Sequence, residues 1–205
     1  MTQRLLAAAM AGLLGVLLWQ VLAGGRLVAL DAAVNGAFTS YRHGPALILF
    51  VWLTDLGTGR TGVAVLLAAS ALLWSGGRAG LVAPLWTVFL GASATTWAGK
   101  VLVGRARPEF IEAASAASPS FPSAHATVSV AVYGFLAYAA CRGLPARRDR
   151  AVVLAGAWGL IGLVCFSRLY LSVHYLGDVL AGALVGGLWL LLGIALAERA
   201  GAPPR

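Results

Sequence analysis

Apolar residues come along this chain in long blocks, separated by short polar gaps. A helix needs about 20 apolar residues to cross a bilayer core, and six blocks approach or meet that length. They lie at about 5–23, 59–74, 81–103, 123–141, 151–165 and 175–197. Each is read as a transmembrane helix. A signal peptide is the rival reading for the first, but no small-x-small cleavage site precedes a soluble mature chain. Between the first two blocks, 31–41 predicts a short helix lying in the membrane interface. Residues 45–54 are apolar but too short to span, and are read as interfacial or re-entrant. The expected fold is therefore all-α: a polytopic six-helix membrane bundle, forming one domain over 1–205, with both termini on the same side.

Composition agrees with a lipid solvent. Sixty per cent of the 205 residues are hydrophobic and 11% are charged, against about a quarter charged in soluble domains. The formal charge of +8 falls mostly in the gaps between blocks. That placement suits loops beside anionic headgroups and gives no basic face for nucleic acid. With the N-terminus cytoplasmic, the inside carries Arg4, Arg78, Arg142, Arg147, Arg148, Arg150, Arg199 and Arg205, against seven basic residues outside. Four of the seven (Lys100, Arg105, Arg107 and Arg168) belong to the cluster described next, and setting them aside leaves eight against three. The expected arrangement has cytoplasmic termini and an extracytoplasmic cluster. Trp19, Trp74 and Trp97 fall near helix ends, as belt residues do. Cys141 and Cys165 should lie at opposite membrane faces and are read as unpaired, packed residues.

Three polar islands interrupt the apolar blocks, and the six-helix topology puts all three on one face. They are Lys100-x6-Arg107-Pro108, Ser120-Phe-Pro122-Ser123-Ala124-His125, and Ser167-Arg168-x5-His174-x3-Asp178. Seven residues apart on a helix, Lys100 and Arg107 share one face. Pro122 suits a first helical turn, which leaves the amides of Ser123, Ala124 and His125 for an anion. His174 and Asp178 stand at i and i+4, where a carboxylate can fix one imidazole nitrogen and leave the other as an attacking lone pair. Lys100, Arg107 and Arg168 suit the spread negative charge of a phosphoryl group. His125 is placed to protonate a departing oxygen. Taken singly, each island has a structural explanation as a cap, a helix pair or an interfacial anchor; only their joint placement on one face points to a site. Arg105 lies off the Lys100–Arg107 face and is read as an interfacial anchor. Glu109 and Glu112 are read as solvated loop charges, and His43 as a surface histidine. Asp55 and Arg60 pair, shape a turn or touch substrate.

Together the three islands resemble the signature motifs of the type 2 phosphatidic acid phosphatase (PAP2) superfamily. The resemblance implies a membrane-integral lipid phosphatase that needs no metal or other cofactor. It implies a phosphohistidine on His174, orientation by Asp178 and protonation of the leaving group by His125. Lys100, Arg107, Ser123, Ala124 and Arg168 would hold the phosphate. The family's second motif usually reads Pro-Ser-Gly-His; here Ala124 stands in the glycine position, with its amide retained. Polyprenyl diphosphate, phosphatidic acid and phosphatidylglycerol phosphate are all open as substrates. Transfer of the phosphoryl group to another hydroxyl is a close alternative, and non-catalytic binding or transport of a lipid phosphate is a second. The membrane spans disfavour the family's soluble haloperoxidases.

Overall fold

The computed structural model describes residues 2–108 and 118–201. Within them, five helices are long and apolar enough to cross a membrane, and the bent pair Gly44–Gly57 and Gly59–Ser75 makes a sixth when counted as one span. Helix α1 (Thr2–Leu22) leads, with little of its surface buried against the rest of the bundle. Gly24, in the left-handed region at φ 63°, ends it. Helix α2 (Arg26–Ala37) follows, then a single 3-10 turn at Thr39–Tyr41. Helix α3 (Gly44–Thr54) has Pro45 in its first turn, where the missing amide costs nothing. A second 3-10 turn, Asp55–Gly57, joins it to α4 (Gly59–Ser75) through a 54° bend. Thr58 caps α4 by accepting the Thr61 amide at 3.2 Å.

Helix α5 (Val82–Val103) precedes a span made of three parts: α6 (Ala124–Val128), a π-helical turn at Ser129–Tyr133, and α7 (Gly134–Cys141). Helices α8 (Arg147–Tyr170) and α9 (Leu176–Arg199) complete the bundle. Lipid offers no hydrophobic drive between helices, so association depends on close packing of small residues. Gly182 and Gly186 of α9 show this. A side chain on either would run into the Ser123 or Thr127 carbonyl at the start of the α6 span. The main core lies among α4, α5, α7 and α9 around Leu66, Leu85, Val88, Phe135 and Ala197.

Two expected boundaries move. The interfacial helix forms at Arg26–Ala37 rather than 31–41, because Asp31 is buried inside it rather than opening it. The fifth span is longer at both ends than 151–165. Asp149 suits a helix first turn, and Ser167 and Arg168 are buried, so their polarity does not end the helix. Cys141 and Cys165 are both free. Glu109, Glu112 and the terminal 202–205 lie outside the described residues.

Candidate active site

Five element ends meet at one face of the bundle: the C-terminal ends of α5 and α8, the first turns of α6 and α9, and the turn between α3 and α4. Lys100 is buried in the last turn of α5 and donates to the Pro119 carbonyl. Gly104, at φ 61°, stops the helix, and its amide returns to the Lys100 carbonyl at 3.0 Å. Arg107 therefore reaches the site from the loop after the helix; the helical face that the spacing predicts it to share with Lys100 does not form. Its Nε donates to the Ser118 carbonyl at 2.8 Å and its Nη2 to Ser118 Oγ at 3.2 Å. Its Nη1 donates to the Val173 carbonyl at 2.7 Å and lies 3.3 Å from Nε2 of His174.

His174 stands two residues before α9 rather than on it, so its link to Asp178 runs across a helix N-terminus. Asp178 sits in the first turn, where the helix dipole favours a carboxylate. One of its oxygens, Oδ2, accepts the Tyr175 amide at 2.9 Å and lies 3.5 Å from His174 Nδ1. That is long for a hydrogen bond, and Nδ1 has no closer partner among the described residues. Contacts of this kind commonly tighten in the Michaelis complex. Burial pushes the His174 imidazole down to about 3; Asp178 opposes the shift, and the Arg168 and Arg107 charges add to it. The ring is thus neutral, with Nδ1 toward the carboxylate and the Nε2 lone pair toward Arg107.

Arg168, buried in the last turn of α8, donates through Nη1 to Thr54 Oγ1 on α3. Its Nε is buried without a partner among the described residues, and so is Ser123 Oγ. An unsatisfied buried polar group costs roughly 1–3 kcal/mol, so two beside a cluster of cations mark a seat for an anion. Contrary to the expectation of a free amide, the Ser123 N–H donates to the Asp178 carbonyl at 3.0 Å and ties α6 to α9. Ala124 opens α6, and His125 follows it. Gly57 backs His125; a Cβ there would lie 3.0 Å from the ring's Cδ2. Arg168, His174, Arg107 and Lys100 are all near enough to act electrostatically on His125.

Convergence of all three motifs on one buried cationic cluster, in this order, agrees with the family comparison: the PAP2 superfamily model matches residues 80–201. The chain belongs to the PAP2 superfamily. It falls in the membrane-integral lipid phosphatase branch of that family. Phosphatidylglycerophosphatase B of Bacillus subtilis (strain 168) is 32% identical, over 78% of this chain and 83% of that protein. In fold, the chain resembles the crystal structure of a transmembrane PAP2-type phosphatidylglycerolphosphate phosphatase from Bacillus subtilis. The TM-score is 0.85, with 24% identity over 94% of this chain and 96% of that one. The LpxE structure from Aquifex aeolicus is more distant, with a TM-score of 0.60 and 21% identity over 83% and 94% of the two chains.

Three PAP2 site neighbours escaped the sequence reading. Arg105, taken for an interfacial anchor, bonds Asp178 and Asp31 together. Asp31 was expected on an interfacial helix and Thr54 in a short apolar run, neither of them among the phosphate-site residues. Among the described residues the ion pairs are Arg105–Asp31, Arg105–Asp178 and His174–Asp178. Asp55 does not pair with Arg60; its backbone carbonyl accepts the Thr58 amide at 3.1 Å and shapes the turn before α4. A charged residue at an unassigned position inside the first motif was the signal for Arg105.

Proposed function

We propose that this protein removes phosphate from a membrane lipid phosphate through a phosphohistidine on His174. The observation that carries the reading is the His174 ring itself. It is neutral, with Nδ1 facing Asp178 and Nε2 beside Arg107, in a cluster where Ser123 Oγ and Arg168 Nε lack partners among the described residues. Lys100, Arg107, Ser123, Ala124 and Arg168 hold the phosphate, with the Ala124 backbone amide and the side chains of the others as donors. The incoming dianion brings negative charge beside His125, which takes part as the imidazolium.

In the first step the Nε2 lone pair forms a P–N bond. The P–O bond to the lipid breaks with its electron pair, and His125 gives its proton to the departing oxygen. Water then attacks phosphorus and loses its proton to His125, while the P–N bond returns its electrons to Nε2. Inorganic phosphate leaves and both histidines are restored. Fixed cations gain most where charge develops on the equatorial oxygens, and no metal is required.

Of the three candidate lipids, phosphatidylglycerol phosphate is favoured by the activity that names the Bacillus subtilis relative. The arginine-rich 142–150 loop supports cytoplasmic termini and an extracytoplasmic site. The test is phosphate release by purified protein, in chelator, from phosphatidylglycerol phosphate, phosphatidic acid and a polyprenyl diphosphate. At least one should be hydrolysed, phosphatidylglycerol phosphate fastest, and His174→Ala should be inactive. Undiminished release by that variant would overturn the mechanism.

A further inference from the structure

Arg105 lies between two carboxylates. Its Nη1 donates to Asp178 Oδ1 at 2.7 Å and its Nη2 to Asp31 Oδ2 at 2.6 Å. The Arg105 side chain is 11% exposed and both carboxylates are fully buried. The guanidinium also sits over the Tyr175 ring, 4.3 Å from its centroid. Asp31 Oδ1 accepts the Gly177 amide at 2.8 Å, so α2 is fastened to the first turn of α9. Gly177 permits the close approach, since a Cβ there would crowd Leu27 and Asp31. Burial alone would lower the Arg105 guanidinium, but the Asp178 charge and the bonds to both carboxylates outweigh it and hold it above its ordinary range.

A lone guanidinium at this distance from Asp178 would work against the site. When Nε2 bonds to phosphorus, the imidazole ring becomes cationic and needs a net negative charge beyond Nδ1. An unbalanced Arg105 would cancel that charge, and in a buried setting little solvent screens the loss. Asp31 removes the conflict: two carboxylates and one guanidinium leave one negative charge facing His174.

We propose that Asp31 and Arg105 are positioning residues for phosphoryl transfer, Arg105 fixing the Asp178 carboxylate and Asp31 neutralising Arg105. The proposal rests on the phosphohistidine reading above. It assigns α2, outside the region matched by the family model, a part in tuning the nucleophile. A purely structural ion pair would instead fasten α2 without acting on the chemical step.

The test uses the full-length protein in detergent with radiolabelled phosphatidylglycerol phosphate, quenched in alkali to trap the phosphoenzyme. Asp31→Asn keeps the shape and leaves Arg105 unbalanced. Phosphoenzyme formation and kcat should fall at least tenfold, with KM within about twofold. The double variant Asp31→Asn, Arg105→Met restores the single negative charge, and should recover much of the kcat that Asp31→Asn loses. Wild-type kcat in Asp31→Asn overturns the proposal, and so does a double variant no faster than that single one. Should Asp31→Asn fail to fold, Arg105→Lys serves. It keeps the charge and cannot bridge both carboxylates, so kcat should fall with KM kept, and wild-type kcat overturns the proposal. A wild-type protein that turns over without any phosphoenzyme would instead sink the phosphohistidine reading itself.

Discussion

Arg107 Nη1 lies 3.3 Å from Nε2 of His174 while donating to the carbonyl of the preceding residue, Val173, at 2.7 Å. One guanidinium therefore holds both the backbone before His174 and the Nε2 edge of the proposed nucleophile. Its other nitrogens are held by Ser118. A lysine supplies the charge without this fork. Arg107→Lys is expected to lower kcat/KM about 100-fold, the cost of one preorganised donor, in steady-state assays on lipid phosphate micelles. A loss below threefold would contradict the role.

The His174 imidazole, held near 3 by burial, is neutral in the folded protein at any working pH. Its folded value lies below the unfolded value of 6.5, so protons bind the unfolded chain more readily. The stability it contributes is fully present above pH 6.5 and is lost as pH falls toward 3. His174→Gln, which cannot titrate, should show a shallower fall in melting temperature across that window. Nuclear magnetic resonance titration of His174 near 6.5 would contradict the assignment.

Gly186 brings the α9 backbone against the Thr127 carbonyl and Val130. Any Cβ there pushes the α6 span, and His125 with it, away from His174. Gly186→Val should destabilise the bundle by about 1–3 kcal/mol, the usual cost of overpacking, and reduce activity beyond its effect on folded fraction. Thermal melts in detergent beside activity per folded molecule check both. A wild-type melt with full activity would show that α9 can give way there.

Gly57 plays a similar part directly beside His125. The space a Cβ would take is held by Val164 and by the His125 ring and Cβ. Gly57→Ala should lower kcat about tenfold with KM nearly unchanged, since His125, in its proposed role as acid, transfers its proton less well when displaced by tenths of an ångström. A rise in KM alone would place Gly57 at substrate binding instead.

Much of the fold was legible because lipid makes the requirement simple. A spanning segment must satisfy its own backbone, so apolar length nearly suffices to find each helix. The weak point was α8, where buried Ser167 and Arg168 looked like a polar end. Helix-face reasoning also failed for Arg107, since Gly104 unwinds the chain before that residue.

The sequence by itself determined the bundle, the shared face of its three polar islands, and the family to which they belong. These follow from local composition and short ordered spacings. Only the tertiary structure decided which charges meet. Arg105 finds Asp178 across 73 positions and Asp31 across 74, because the turn at Gly104 returns the chain over the first turn of α9. No local pattern encodes a pairing made between helix ends. It arises because charges buried at a bundle's face must be paired, and the packed helices determine the available partners.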